Sequence, residues 1–154
     1  MPTAPPSREV GLAGEHYVAM MLAMAGITPA VLPAGTPDAD VIATLHGRAC
    51  SIQVKTTGAA GRNVVDMKPE RILRSDFLVV VALNMPGRYS RNSGAPVAYV
   101  MPREVVAHAW EVGGYEHPKR PGLRLNQEVR AIMEDHRESW HLVAEALGVQ
   151  VDTA

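Results

Sequence analysis

A three-layer α/β fold, with a mixed sheet of four or five strands flanked by helices, is what this sequence predicts. Three observations carry that expectation. Apolar residues recur at helical spacing near both ends of the chain, a His46-Gly47 dipeptide separates two strand-like runs, and residues 77–83 form an unbroken apolar segment of strand length. With 154 residues and 47% hydrophobic content, the chain has the size and apolar stock of one domain with a real core, and it is read as a single domain over 1–154.

Each element follows from local chemistry. Residues 1–7 carry three prolines and no periodicity, so a flexible arm is expected there, and another at 149–154. The spacing predicts a helix over 8–25, with Val10, Tyr17, Met21 and Met24 on one stripe, Val18 and Leu22 beside it, and Gly26 as its stop. Residues 27–32 suit a short strand that Pro29 confines to a sheet edge. Stronger strands at 41–45 and 49–55 flank His46-Gly47, where glycine can take the positive φ of a tight hairpin turn. Residues 56–62 read as a flexible loop. The 77–83 run suits a strand buried on both faces, 97–101 a further strand, and 104–111 a helix entered at Pro102. Residues 113–125 look like loop, and 126–147 like a mostly helical segment ending at Gly148.

Composition excludes several classes. One cysteine, Cys50, allows neither an internal disulfide nor a multi-cysteine zinc site; it reads as a core residue and suits a reducing, cytoplasmic setting. The longest apolar stretch, 18–32, is broken by Gly26 and Pro29 and is too short to span a membrane, and the first residues lack a secretory pattern. The six histidines form no i,i+4 pair, which argues against a histidine zinc site. Lys55-Thr56 lacks the glycines of a phosphate-binding loop, and the Ser51–Lys55 spacing does not match acyl-transfer enzymes. Trp110 and Trp140 fall within helical patterns and read as core anchors. The net charge of −1 hides an asymmetry: residues 48–103 carry nine basic and three acidic side chains, while both flanking segments are acidic. A local positive field of this kind suits a polyanion.

The hairpin fixes a register. With a two-residue turn, Leu45 faces Arg48, so Asp40 falls opposite Gln53, and Asp38 would fall opposite Lys55 if pairing reached that far. Asp40, Gln53 and Lys55 then share one face, while Val41, Ala43, Leu45, Cys50, Ile52 and Val54 form an apolar face fit for the core. A carboxylate, an amide oxygen and an ammonium gathered in this way suit Mg²⁺ or Mn²⁺ chemistry on phosphate.

Glu15 on the first helix, Pro37-Asp38-Ala39-Asp40 before the hairpin and Gln53-Val54-Lys55 within it resemble the PD-(D/E)XK nuclease superfamily, in the variant with Gln at the second acidic position. The later strands and Pro102-Arg103-Glu104 are similar to that fold's continuation, so the resemblance covers about two-thirds of the chain. It implies a restriction-endonuclease-like core and hydrolysis of phosphodiester bonds with Mg²⁺ or Mn²⁺. Asp40 would be the principal metal ligand, Asp38 its rival, Gln53 and the Val54 carbonyl further oxygen ligands, and Glu15 a ligand directly or through water. Lys55 would position or activate the attacking water and offset charge on the phosphate. Arg48, Arg62, Lys68, Arg71 and Arg74 are the candidates for holding nucleic acid by its phosphates, with DNA expected ahead of RNA. Because Gln53 removes a negative charge, the alternative is a catalytically inactive relative that binds nucleic acid or a protein partner. A homodimer or a place in a larger assembly is also expected of a chain without a recognisable targeting module.

Overall fold

The computed structural model describes residues 6–57, 64–84 and 94–150. Helix α1 (Ser7–Met24) buries Gly14, Val18 and Leu22 and half-buries Val10, Tyr17 and Met21. Two sequence expectations need correction here. Ser7 belongs to the helix rather than to a loose arm, and Met24 is 74% exposed. At about 100° per residue, Met24 lies about 120° around the helix from the Gly14–Val18–Leu22 stripe, which sets the true buried face.

Strands β1 (Thr28–Val31), β2 (Val41–Leu45), β3 (Arg48–Thr57), β5 (Phe77–Ala82) and β6 (Val97–Pro102) form a mixed five-stranded sheet in the order β1-β2-β3-β5-β6. β1, carrying Pro29, is an edge as expected, and all of β5 is buried. β3 pairs parallel with β5 from Ile52↔Phe77 to Thr57↔Ala82, which draws Thr56 and Thr57 out of the expected loop and into the sheet.

A second sheet, absent from the sequence reading, joins β4 (Val64–Asp66), β8 (Gly122–Arg124) and β7 (Gly114–Tyr115) in the order β4-β8-β7. It replaces part of the loop expected at 113–125; strands of two or three residues are too short to show an alternation. A one-turn helix α2 (Pro69–Ile72) follows β4, and α3 (Arg103–Gly113) follows β6.

The last helical segment is also divided. α4 (Gln127–Glu134), whose Asn126 side chain caps the Val129 amide at 2.9 Å, is separate from α5 (His141–Ala146). Between them the chain lies along β6: Tyr99 bridges to Arg137, the Val100 amide donates to the His136 carbonyl and the Glu138 amide to the Ala98 carbonyl. Glu138, at φ +49°, turns its carboxylate inward, where it accepts from the Ala98 amide (2.8 Å), the Trp140 indole (2.6 Å) and the Tyr17 hydroxyl (3.0 Å). A continuous helix would forgo these bonds.

The core has two layers. On one sheet face α1 and α5 cover Val41, Ala43, Cys50, Ile52, Val54, Val79 and Val100, with Trp140 buried among them. On the other, Leu78, Val80 and Met101 pack with Val106 and Ala109 of α3, Val129 and Met133 of α4, and Val65 and Leu123 of the small sheet.

Candidate active site

The hairpin places the site. Gly47 (φ +75°) and His46 (φ +51°) close the turn with Leu45 opposite Arg48, and pairing continues to Val41 opposite Ile52. Asp40 stands just beyond, tethered by its own amide to the Ile52 carbonyl at 2.9 Å. Its Oδ2 accepts from Gln53 Nε2 at 2.7 Å and from the Val54 amide at 2.8 Å. Where β2 ends, the carboxylate thus takes over the Val54 donor that a neighbouring strand would have satisfied. A strand residue sends its N–H and C=O to the same edge, so the Val54 carbonyl faces this side as well. Gln53 turns its amino group to the carboxylate, which directs Oε1 away from Asp40.

Asp40, Gln53 and Lys55 line one cleft of about 400 Å³. Gly35, Thr36 and Asp38 form one wall; Asp66, Met67, Lys68, Arg71 and Ile72 form another; Lys119, Arg120 and Pro121 close it from the segment before β8. The two outer walls are joined by the Met67 amide, which donates to the Pro121 carbonyl at 3.1 Å. Asp38 sits at φ +67°, held by the Ser75 hydroxyl on its carbonyl (2.5 Å) and by Arg74 on its carboxylate (3.2 Å). Strand pairing stops at Val41, so Asp38 does not reach a paired position opposite Lys55.

The electrostatics are those of a partly dehydrated site. Burial pushes the Asp40 carboxyl up, against the downward pull of the Val54 amide and the Lys55 ammonium. Burial also lowers Lys55, while the Asp40 and Asp66 carboxylates act to keep it protonated and Arg71 and Lys68 add to the lowering. Glu15 is raised by burial first and by the Asp40 charge second, so it feels the site although it is not part of the cleft lining. Perturbed titratable groups gathered around one cleft are a physical mark of functional sites.

Of the remaining sequence candidates, Lys68 and Arg71 line the cleft and Arg74 reaches it through Asp38. Arg48 does not line it: it lies at the other end of β3, where its guanidinium packs against Gly148. Arg62 falls outside the described residues. Asp66, Lys119 and Arg120 were missed, because the small sheet that delivers them leaves no periodic trace; a Pro-Lys-Arg-Pro run at 118–121 was the one available signal.

Among the described residues, no three side chains of the His, Cys, Asp and Glu type stand together as a ready metal site. The donors at Asp40 are nonetheless oxygens, its second carboxylate oxygen and the Val54 carbonyl, to which a half-turn of the Gln53 amide would add Oε1. That set fits Mg²⁺ or Mn²⁺, since magnesium takes one or two carboxylates and keeps several waters.

The fold is restriction-endonuclease-like. A bacterial homing endonuclease superposes with a TM-score of 0.64 at 18% identity, covering 98% of this chain and 100% of that one. The Holliday junction resolvase Hjc of the archaeal hyperthermophile Archaeoglobus fulgidus gives a TM-score of 0.51 at 14% identity, covering 92% and 98%. No family model and no curated protein matches the sequence.

Proposed function

We propose that this protein is a metal-dependent nuclease that hydrolyses phosphodiester bonds of nucleic acid, DNA ahead of RNA. The observation that carries this reading is the opening of Asp40, Gln53 and Lys55 into one cleft whose cationic side chains outnumber its carboxylates. That an endonuclease and a Holliday junction resolvase have this fold supports a nucleic-acid substrate.

In this reading Asp40 and the Val54 carbonyl would hold the divalent ion, joined by Gln53 if its amide turns over, with Glu15 acting through water from α1 and Asp38 in reserve behind its bond to Arg74. When bound, the ion supplies Lewis-acid charge at the phosphoryl oxygens. Lys55 orients the attacking water and balances the charge that develops on the phosphate, a contact whose loss typically costs about 10²–10³ in rate. Lys68, Arg71 and Arg74 hold the backbone phosphates. Arg48 is left out, being at the wrong end of β3.

The test is cleavage of plasmid and short-duplex DNA with Mg²⁺ or Mn²⁺ by the wild type, Asp40→Ala and Lys55→Ala. Each variant should lose at least about a hundredfold in rate while the fold persists; unchanged rates in both would remove the proposal. One observation favours a second reading, a non-catalytic nucleic-acid-binding or partner-binding protein. Gln53 already satisfies one Asp40 oxygen, and among the described residues no group of three His, Cys, Asp or Glu side chains stands there. That reading predicts salt-dependent binding without turnover, and calorimetric metal titration of the wild type and Asp40→Asn separates the two.

A further inference from the structure

Lys119 and Arg120, in the segment between β7 and β8, supply the excess of positive charge in the cleft, but the hydrolytic reading gives them no task of their own. Lys119 and Arg120 line the same cleft as Lys55, and neither has an ion-pair partner among the described residues. Their backbone is preset: His117 Nδ1 accepts from the Lys119 amide at 3.1 Å and from the Arg120 amide at 3.0 Å. One residue further on, Pro121 is bonded to Met67 at the exit of β4, and β8 is paired along its length with β4. Arg124 stacks 4.9 Å from the centre of the Tyr115 ring, which ties the base of the hairpin together. Two unpaired cations on an anchored turn, facing a cleft that already contains Lys55, form a second point of attachment for a polyanion.

We propose that Lys119 and Arg120 grip backbone phosphates of the nucleic acid flanking the one that faces Lys55, with His117 as the positioning residue that fixes their turn. The inference rests on the reading of the cleft as a nucleic-acid site. It assigns to the small sheet the task of holding the nucleic acid beside the site, so that the β2–β3 hairpin and the β7–β8 turn contact the backbone within one cleft. The bonds to both amides require Nδ1 to be an acceptor, so an asparagine, whose side-chain oxygen can accept the same amides, is the conservative replacement.

The experiment is binding of a fluorescein-labelled 20-base-pair DNA duplex, followed by anisotropy in EDTA at several KCl concentrations so that turnover does not intervene. Removing two phosphate contacts should flatten the dependence of log K on log salt by about 1.8. Lys119→Ala/Arg120→Ala should show that change, and Arg8→Ala/Arg137→Ala, with both residues outside the cleft lining, should not. His117→Ala should weaken binding several-fold, and His117→Asn should restore it. Equal flattening in both double variants would mean net charge rather than local contact and would overturn the inference, as would an unchanged slope in Lys119→Ala/Arg120→Ala. A wild type with no salt-dependent binding would instead bring down the nucleic-acid reading itself.

Discussion

Asp40 and Gln53 are joined across the open end of the hairpin, with Gln53 Nε2 donating to Asp40 Oδ2 at 2.7 Å. An acid in place of Gln53 would set two carboxylates side by side in a partly dehydrated cleft. The amide instead keeps Asp40 in position when no cation is present. The pair is therefore organised without a cation, and it carries one negative charge fewer than a pair of acids would.

Gln53→Glu should reverse that balance. Without a divalent ion the variant loses the hydrogen bond and gains repulsion, for a destabilisation of about 1–3 kcal/mol. With an ion it gains a ligand. Thermal melts in EDTA and in Mg²⁺ should show a lower Tm than wild type in the first and a larger magnesium-induced rise in the second. A rise no larger than that of wild type would mean that the ion does not sit at this pair.

Tyr17 links α1 to Glu138. Burial first, then the hydrogen bond to Glu138 and that residue's charge, push the phenol up to about 12. An unfolded phenol ionises near its ordinary value of about 10. The neutral phenol favours the fold, so its contribution is complete below about pH 10 and disappears as pH rises through about 12. Alkaline absorbance titration, with Tyr17→Phe subtracted to isolate this residue, should show the late transition, and Glu138→Gln should move it to lower pH. A Tyr17 transition unmoved by Glu138→Gln would mean that the carboxylate is not its partner.

Gly14 lets α1 lie directly on β3, for a Cβ there would overlap the Thr56 hydroxyl. Gly14→Ala should destabilise by about 1–3 kcal/mol through overpacking, against a helix-propensity gain of about 1 kcal/mol. Chemical denaturation should show the loss, and Thr56→Ala should rescue it. Additive effects of the two substitutions would place the contact elsewhere.

The hairpin was legible because two constraints agree there. A turn ending in Gly47 and the alternation of Val41, Ala43, Cys50, Ile52 and Val54 each specify the same register, and a one-residue slip would expose the whole apolar set. The buried strand β5 was equally plain from its unbroken apolar run. The other walls of the cleft were not legible. Asp66, Lys119 and Arg120 are brought to it by strands of two or three residues, and pairing between such short segments depends on the folded frame around them. The break between α4 and α5 was hidden for a related reason. Glu138 leaves helical geometry to bond with Tyr17 and Ala98, both distant in sequence, and nothing local announces those partners.

The strip at 136–138 along β6 also bears on how copies of this protein can meet. It occupies the Val100 amide and the Ala98 carbonyl, which a foreign strand would otherwise use on that side of the large sheet, and Pro29 withholds a donor on the opposite border. Continuous growth of the sheet from one molecule into the next is therefore discouraged at both margins. Interface mutations that disturb dimers or larger particles should therefore be sought first on helices and loops, and only then along strand borders.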